Sequence, residues 1–362
     1  LRPLGGHDVH SITQILADAR GPLRIIHVGG EILTCDAWEA AVMLAANDEA
    51  ARIVRALDRH PEERMTWARK RLHRPDLAPY VLPPSGLHDL PAGTSVHFHA
   101  AGGVTLGRRD PAFQHEVLGK LRRANSLTVR DNITVSQLAR AGIRASVIPD
   151  AVVMVADACA TEIAARMPAG SKEGEAADVA RRCAKGYIAV QCNAEFGDDA
   201  TVRALAGQLR ALCVAASLPC VLFRAGAAPW HDDLEVLRRI AQAMRPAPAL
   251  LFESQHVWEA CALIAMARLV CASSLHAVIV AMSHAIPCVT IGKPGNDAVD
   301  GKHAAFAATW GLPGFPAAAP ADALVEAALS ALATDPALRR RHAGALMDAH
   351  EHAMANFDGE KR

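Results

Sequence analysis

The sequence lacks any excess of charge: 38 lysines and arginines are matched by 38 aspartates and glutamates across 362 residues. A neutral chain exerts no overall pull on nucleic acid or an anionic membrane, so recognition of phosphate must be local and the expected partner is small. It also lacks a CxxC pair. Nine cysteines are scattered, mostly inside apolar runs, which argues against a zinc site or a disulfide framework and for buried thiols in a reducing, cytoplasmic setting. No apolar run reaches the roughly 18 residues that cross a bilayer, and Val278 to Ala285 is interrupted by Ser283 and His284. A transmembrane segment is therefore not expected, while peripheral membrane contact and oligomeric state stay open. There is no internal repeat and no coiled-coil heptad. The chain opens at Leu1 with neither an initiator methionine nor a charged-then-apolar leader, from which a missing upstream piece is expected.

Against these absences stands a regular alternation of short apolar runs and helical periodicity. Leu23-Arg24-Ile25-Ile26-His27-Val28 reads as a buried strand meeting a tight turn at Gly29-Gly30. Asp36 opens a helical pattern that continues, with interruptions, to about Leu72. Ser95-Val96-His97-Phe98-His99 alternates with period two and runs into Gly102-Gly103. A helix near 110–123, a strand at 126–130, a helix after Asp131 and a strand at 146–148 complete a first series. The second begins with a strand at 187–192, followed by a helix over 199–216, strands at 219–224, 249–252 and 268–271, and helices from about Asp232 and Val257. Such alternation implies largely parallel sheets with helices on their faces, so the fold class is α/β with two Rossmann-like domains. On this reading residues 1–168 form the first domain, 169–185 an apolar-poor linker, 186–335 the second domain, and 336–362 a C-terminal helix and tail, free to pack back on the first domain.

Two segments carry the chemistry. In Ser273-Ser274-Leu275-His276-Ala277-Val278, an apolar run ends in small polar residues and a helix opens with histidine in its first turn; His284-Ala285-Ile286-Pro287 and then Lys302 follow. In a parallel sheet such a loop lies at the carboxyl end of a strand, where ligands bind, and the helix N-terminus favours an anion. His276 is thus a candidate for chemistry, with a hydrogen-bonded structural histidine as the competing reading. The other segment is Thr128-Val129-Arg130-Asp131-Asn132, continuing through Ser136, Leu138 and Gly142 to Pro149-Asp150. Arg130 leaves a strand end with a fork of donors suited to a carboxylate or phosphate. The alternative is that it pairs with Asp131 or Asp150 at the sheet edge.

In this order the two segments resemble the polysaccharide pyruvyl transferase family. Its members look like VRD, then S, L, G and PD in the first half, and a serine or arginine before Leu-His or Phe-His, then Ile-Pro and a lysine, in the second. The match runs from Gly29-Gly30-Glu31-Ile32-Leu33 to Lys302. The resemblance implies a GT-B-like arrangement of the two domains, with the site in the cleft between them and the first domain on the acceptor side. It implies a transferase that moves the pyruvyl group of phosphoenolpyruvate onto sugar hydroxyls of a polysaccharide, exopolysaccharide or glycan precursor, forming a pyruvate ketal and releasing phosphate. The acceptor would be a glycan or a lipid- or nucleotide-linked sugar. No metal and no organic cofactor is implied.

His276 matches the Leu-His position and is assigned as general acid or base, since histidine titrates near neutrality. Arg130 and Lys302 match family positions and, with Ser273, Ser274 and the backbone after them, are assigned to the donor's carboxylate and phosphate. Many members carry arginine where this chain has Ser274, and Arg224 or Lys293 is a candidate to restore that charge. Gly29, Gly30 and Glu31, like Gly102-Gly103, follow strands where a ligand can approach the backbone; neither group gives GxGxxG, so dinucleotide binding is poorly supported. His97 and His99 share one strand face without identifiable further metal ligands, and Asp232 reads as a helix cap. Two other functions stay open: a GT-B-type glycosyltransferase using a nucleotide sugar, for which no convincing glutamate-bearing nucleotide motif is found, and a non-catalytic glycan-binding relative.

Overall fold

The computed structural model describes residues 2–82, 91–294 and 301–359. The chain divides into two compact units, Asp8–Ala151 and a larger one composed of Leu1–His7 and Val152–Arg362.

In the first unit, four parallel strands lie in chain order: β1 (Arg24–Val28), β2 (Ser95–Ala101), β3 (Ser126–Val129) and β4 (Ser146–Val147). Period-two alternation sends Val96 and Phe98 inward from β2, where they meet Phe113 and Val117 from one helix and Leu138 from another. The helical pattern after Asp36 separates into three helices, Ala37–Met43, Asn47–Leu57 and Pro61–Leu72. Asp36 and Glu39 form a reciprocal capping box on the first, and Pro61 starts the third in the one turn that tolerates a missing amide.

In the second unit, six parallel strands are arranged in the order β10-β9-β8-β5-β6-β7. They are β5 (Ile188–Gln191), β6 (Cys220–Leu222), β7 (Ala249–Leu251), β8 (Leu269–Ala272), β9 (Cys288–Gly292) and β10 (Ala317–Pro320). Both faces are covered. Ala189, Val221 and Val270 face helices Glu175–Arg182, Val257–Ala265 and Leu275–Ser283, whereas Ile188, Val190, Leu222 and Cys271 face helices Asp199–Ala216, Leu234–Ala243 and Leu324–Ala333. Strand order reverses between β5 and β8, and in an open parallel sheet the crevice beyond the strand ends at such a reversal is where ligands bind. The four-stranded sheet, built in chain order, has no such point among the described residues.

The boundary between units, at Ala151/Val152, differs from the linker expected over 169–185. That stretch contains helix Glu175–Arg182, whose Ala176, Ala177 and Val179 are buried, with the Ala176 amide bonded to Glu259 Oε2 at 2.8 Å. Alanine gives a helix little apolar signature, so a packed face resembled a solvated connection. The C-terminal helix, Pro336–Gly359, groups with the second unit: Leu346 enters its core and Arg339 Nε donates to Ala285 O at 2.9 Å.

Candidate functional site

At the β5/β8 reversal the ends of three parallel strands are joined by a buried polar network. Gln191 closes β5 and is completely buried. Its Oε1 accepts the Ser274 amide at 2.8 Å, and its Nε2 donates to Asp232 Oδ1 at 2.7 Å. Asp232 Oδ2 in turn accepts the Ala225 amide at 2.5 Å, just beyond β6. Ser273 Oγ accepts the Asn193 amide at 3.0 Å, adding a second tie between the loops after β5 and β8. Burial pushes the Asp232 carboxyl above its ordinary range, against the opposing pull of its hydrogen bonds from Ala225, Gln191 and Gly226.

This network sets the start of helix Leu275–Ser283. Ser274 is its N-cap, its hydroxyl accepting the Ala277 amide at 3.4 Å, and His276 stands exposed in the first turn. His276 lines a cavity of about 650 Å³ in the second unit. Across the lining, Phe223 and Arg224 come from just beyond β6, Val257 and Trp258 from the start of helix Val257–Ala265, and Leu4 from the chain's first residues. Arg224 Nη2 donates to Glu253 O at 3.1 Å, while its buried Nε has no hydrogen-bond partner among the described residues. A buried guanidinium donor left unsatisfied is costly, so an acceptor arriving with a ligand would be stabilised there. The cavity thus joins an imidazole, a cation and a largely apolar wall.

In the first unit the other family-matched segment forms a separate constellation. Arg130, only 2% exposed, follows β3 and divides its fork between two carboxylates: Nη1 donates to Asp150 Oδ2 at 2.8 Å and Nη2 to Glu31 Oε1 at 2.6 Å. The pairing with Asp150 is the sheet-edge alternative weighed above. Asp131 instead caps helix Asn132–Arg140, accepting the Thr134 amide at 2.7 Å. Glu31 reaches Arg130 because Gly29 and Gly30 turn the chain with φ of 59° and 68°, a left-handed pair that costs glycine little. Gly102 completes the enclosure: a Cβ there would lie 2.6 Å from Glu31 Oε1 and 2.8 Å from Arg130 Nε.

The remaining expectations fall elsewhere. Lys302, exposed, opens helix Lys302–Trp310. Lys293 follows β9 near Asp198, whose carboxyl is held low by hydrogen bonds from Thr201 and, more weakly, by the Lys293 charge. Asp232 is not a cap; Asp233 holds that position, accepting the Glu235 amide at 2.8 Å. The ring nitrogens of His97 lie 2.8 and 3.0 Å from the hydroxyls of Ser126 and Ser95, and no group of three or more His, Cys, Asp or Glu among the described residues is placed to hold a metal. Sequence reasoning passes over Gln191 and, with it, the bond that draws Asp232 into the network. The available signal was a glutamine ending the apolar strand Ile188-Ala189-Val190, since a buried polar side chain needs partners.

Residues 100–292 match a family model described as polysaccharide pyruvyl transferase. No curated protein matches the chain in sequence. Among solved structures, a putative UDP-N-acetylglucosamine 2-epimerase from Listeria monocytogenes is similar with a TM-score of 0.51 and 10% identity, over 89% of this chain and 91% of that one. UDP-GlcNAc 2-epimerase from Neisseria meningitidis has a TM-score of 0.48 and 12% identity, over 89% and 94%. The UDP-forming trehalose-phosphate synthase from Burkholderia xenovorans has a TM-score of 0.43 and 13% identity, over 72% of this chain; this chain spans 65% of that enzyme, less than two thirds. Identities this low carry a likeness of fold alone: two parallel-stranded α/β sheets with interleaved helices, a GT-B-like fold.

Proposed function

Because the chain belongs to the polysaccharide pyruvyl transferase family, we propose that it transfers the pyruvyl group of phosphoenolpyruvate to sugar hydroxyls of a polysaccharide or glycan precursor, forming a pyruvate ketal and releasing phosphate. The observation that carries this reading is that His276 and Arg224 line one cavity. The chemistry asks for both kinds of group. The donor's methylene carbon takes up a proton while a sugar oxygen bonds to its central carbon. A second hydroxyl then displaces phosphate from that carbon and closes the ketal, its proton leaving with the phosphate.

His276 is the general acid or base in this scheme. Arg224, with its unsatisfied Nε, holds the donor's carboxylate or phosphate and supplies the charge that many relatives place at Ser274. The first-turn amides of helix Leu275–Ser283 add a partial positive charge, and Lys302 completes the cations assigned to phosphate. Ser273 contributes by position, through the Asn193 amide. On the acceptor side Arg130 acts through Glu31, whose carboxylate it orients, with Gly29 and Gly30 leaving the backbone open to a sugar. Acid–base transfer and electrostatic stabilisation suffice for this reaction, so the reading requires no metal or organic cofactor. No helix among the described residues is long and apolar enough to cross a membrane, and nine free cysteines fit a cytoplasmic enzyme.

The test is to incubate the protein with phosphoenolpyruvate and a panel of oligosaccharide acceptors, following phosphate release and the mass gain of a ketal. Transfer of a sugar from a nucleotide donor instead, or no turnover with any acceptor, rejects the proposal.

A further inference from the structure

A second cavity, of about 590 Å³, lies in the same unit, and Trp258 belongs to the walls of both. Its lining is basic: Arg2, Arg166 and Lys172, together with His7 and His256, meet one carboxylate, Glu162. The Arg166 side chain is only 20% exposed and lies 3.4 Å from Glu259 Oε1 and 2.8 Å from His256 Nε2. Glu259, whose other oxygen takes the Ala176 amide, meets the guanidinium through one oxygen at this longer distance and leaves donors of the fork for other acceptors. The arginine can only donate, so His256 Nε2 accepts and the ring proton resides on Nδ1. That Nδ1 is buried against Gly5 with no hydrogen-bond partner among the described residues. His256 also precedes helix Val257–Ala265 without a side-chain bond to its first turn, which leaves the partial positive charge of the helix start uncompensated by a cap. Burial, and then the Arg166 charge, hold the His256 pKa below its ordinary value, with Lys172 acting in the same direction.

Several cations, an uncapped helix start and an aromatic wall shared with the His276 cavity suit an anion attached to a larger polar molecule. We propose that this basic cavity is a second anion subsite, taking the phosphoryl group of a phosphorylated sugar acceptor. The inference rests on the reading of the chain as a glycan-modifying transferase, but it concerns binding and not pyruvyl transfer.

The test is calorimetric titration of the full chain with glucose 1-phosphate and with glucose, in the absence of phosphoenolpyruvate, followed by competition with inorganic diphosphate. Glucose 1-phosphate is expected to bind and glucose not, with diphosphate displacing the former and added salt weakening it. Lys172→Glu and Arg2→Gln, both at exposed side chains, are each expected to weaken binding by about tenfold or more, the scale of one charge-assisted contact. His276→Ala is expected to leave it unchanged. Failure of glucose 1-phosphate to bind, equal binding in both basic-residue variants as judged on samples with unaltered thermal melts, or loss of binding in His276→Ala overturns the proposal. Absence of ketal formation with an intact titration would instead reject the pyruvyl reading alone.

Discussion

The Gln191 side chain donates to the buried Asp232 carboxylate at 2.7 Å while accepting the Ser274 amide at 2.8 Å, so one amide group fixes the end of β5 to the loop that delivers His276. Asp232→Asn places an NH₂ where the carboxylate accepts hydrogen bonds, leaving donors face to face. A loss of about 2–3 kcal/mol is expected, the cost of unsatisfied buried polar groups. Urea denaturation measures it, and an unchanged midpoint would show that the network does not constrain the fold. Turnover should fall in Gln191→Leu as well, because the helix start that carries His276 loses its tether.

His276 is exposed, and its removal should cost activity without cost to folding. Phosphate release by His276→Ala is expected to drop by about 10²- to 10⁴-fold, the usual range for a lost acid–base group, with an unchanged thermal melt. Near-normal release would assign the histidine a structural part only.

Arg130→Met should be the most damaging single change in the first unit. It strands Asp150 and Glu31, for which about 3–5 kcal/mol is the scale when one member of a buried charge cluster is lost. Glu31→Gln keeps an acceptor for the guanidinium and is expected to spare stability while reducing acceptor use. If the two variants unfold alike, Glu31 is structural; if Glu31→Gln leaves kcat and KM unchanged, it does not serve the acceptor.

The first unit should weaken in mild acid. His27 is held down to about pKa 4 by burial, and its Nε2 accepts the Leu82 amide at 3.1 Å. Its folded pKa lies below the unfolded value of about 6.5, so the unfolded chain binds the extra proton. Stability contributed by the neutral ring is present above pH 6.5 and is lost as pH falls toward 4, by about 2–3 kcal/mol. Chemical denaturation across this range, compared with His27→Gln, measures the difference; identical pH slopes would remove His27 as the cause.

Local signals were the legible ones. The periodicity of 199–216 corresponds to helix Asp199–Ala216, and the small polar residues before His276 do end a strand and cap a helix. The α/β class and the parallel sheets follow from the same alternation. What was illegible depends on partners far apart in the chain. Arg130 reads as an open fork until Glu31, 99 positions away, is seen to occupy it. Asp232 reads as a cap until Gln191, 41 positions away, claims it. Alanine-rich segments were obscure for another reason: β10, Ala317–Pro320, has a strand's backbone without the branched side chains that announce one.

The strand reversal at β5 and β8 has an evolutionary consequence. Positions 191 and 232, 41 residues apart in the chain, share a side-chain bond, so substitutions at them are epistatic: the second finds the interaction already gone, and the combined effect falls short of the sum. Position 274 enters the same network through its backbone amide, which any residue but proline supplies, and so drifts more freely. A change of substrate preference built on this loop is therefore expected to vary position 274 while 191 and 232 move together.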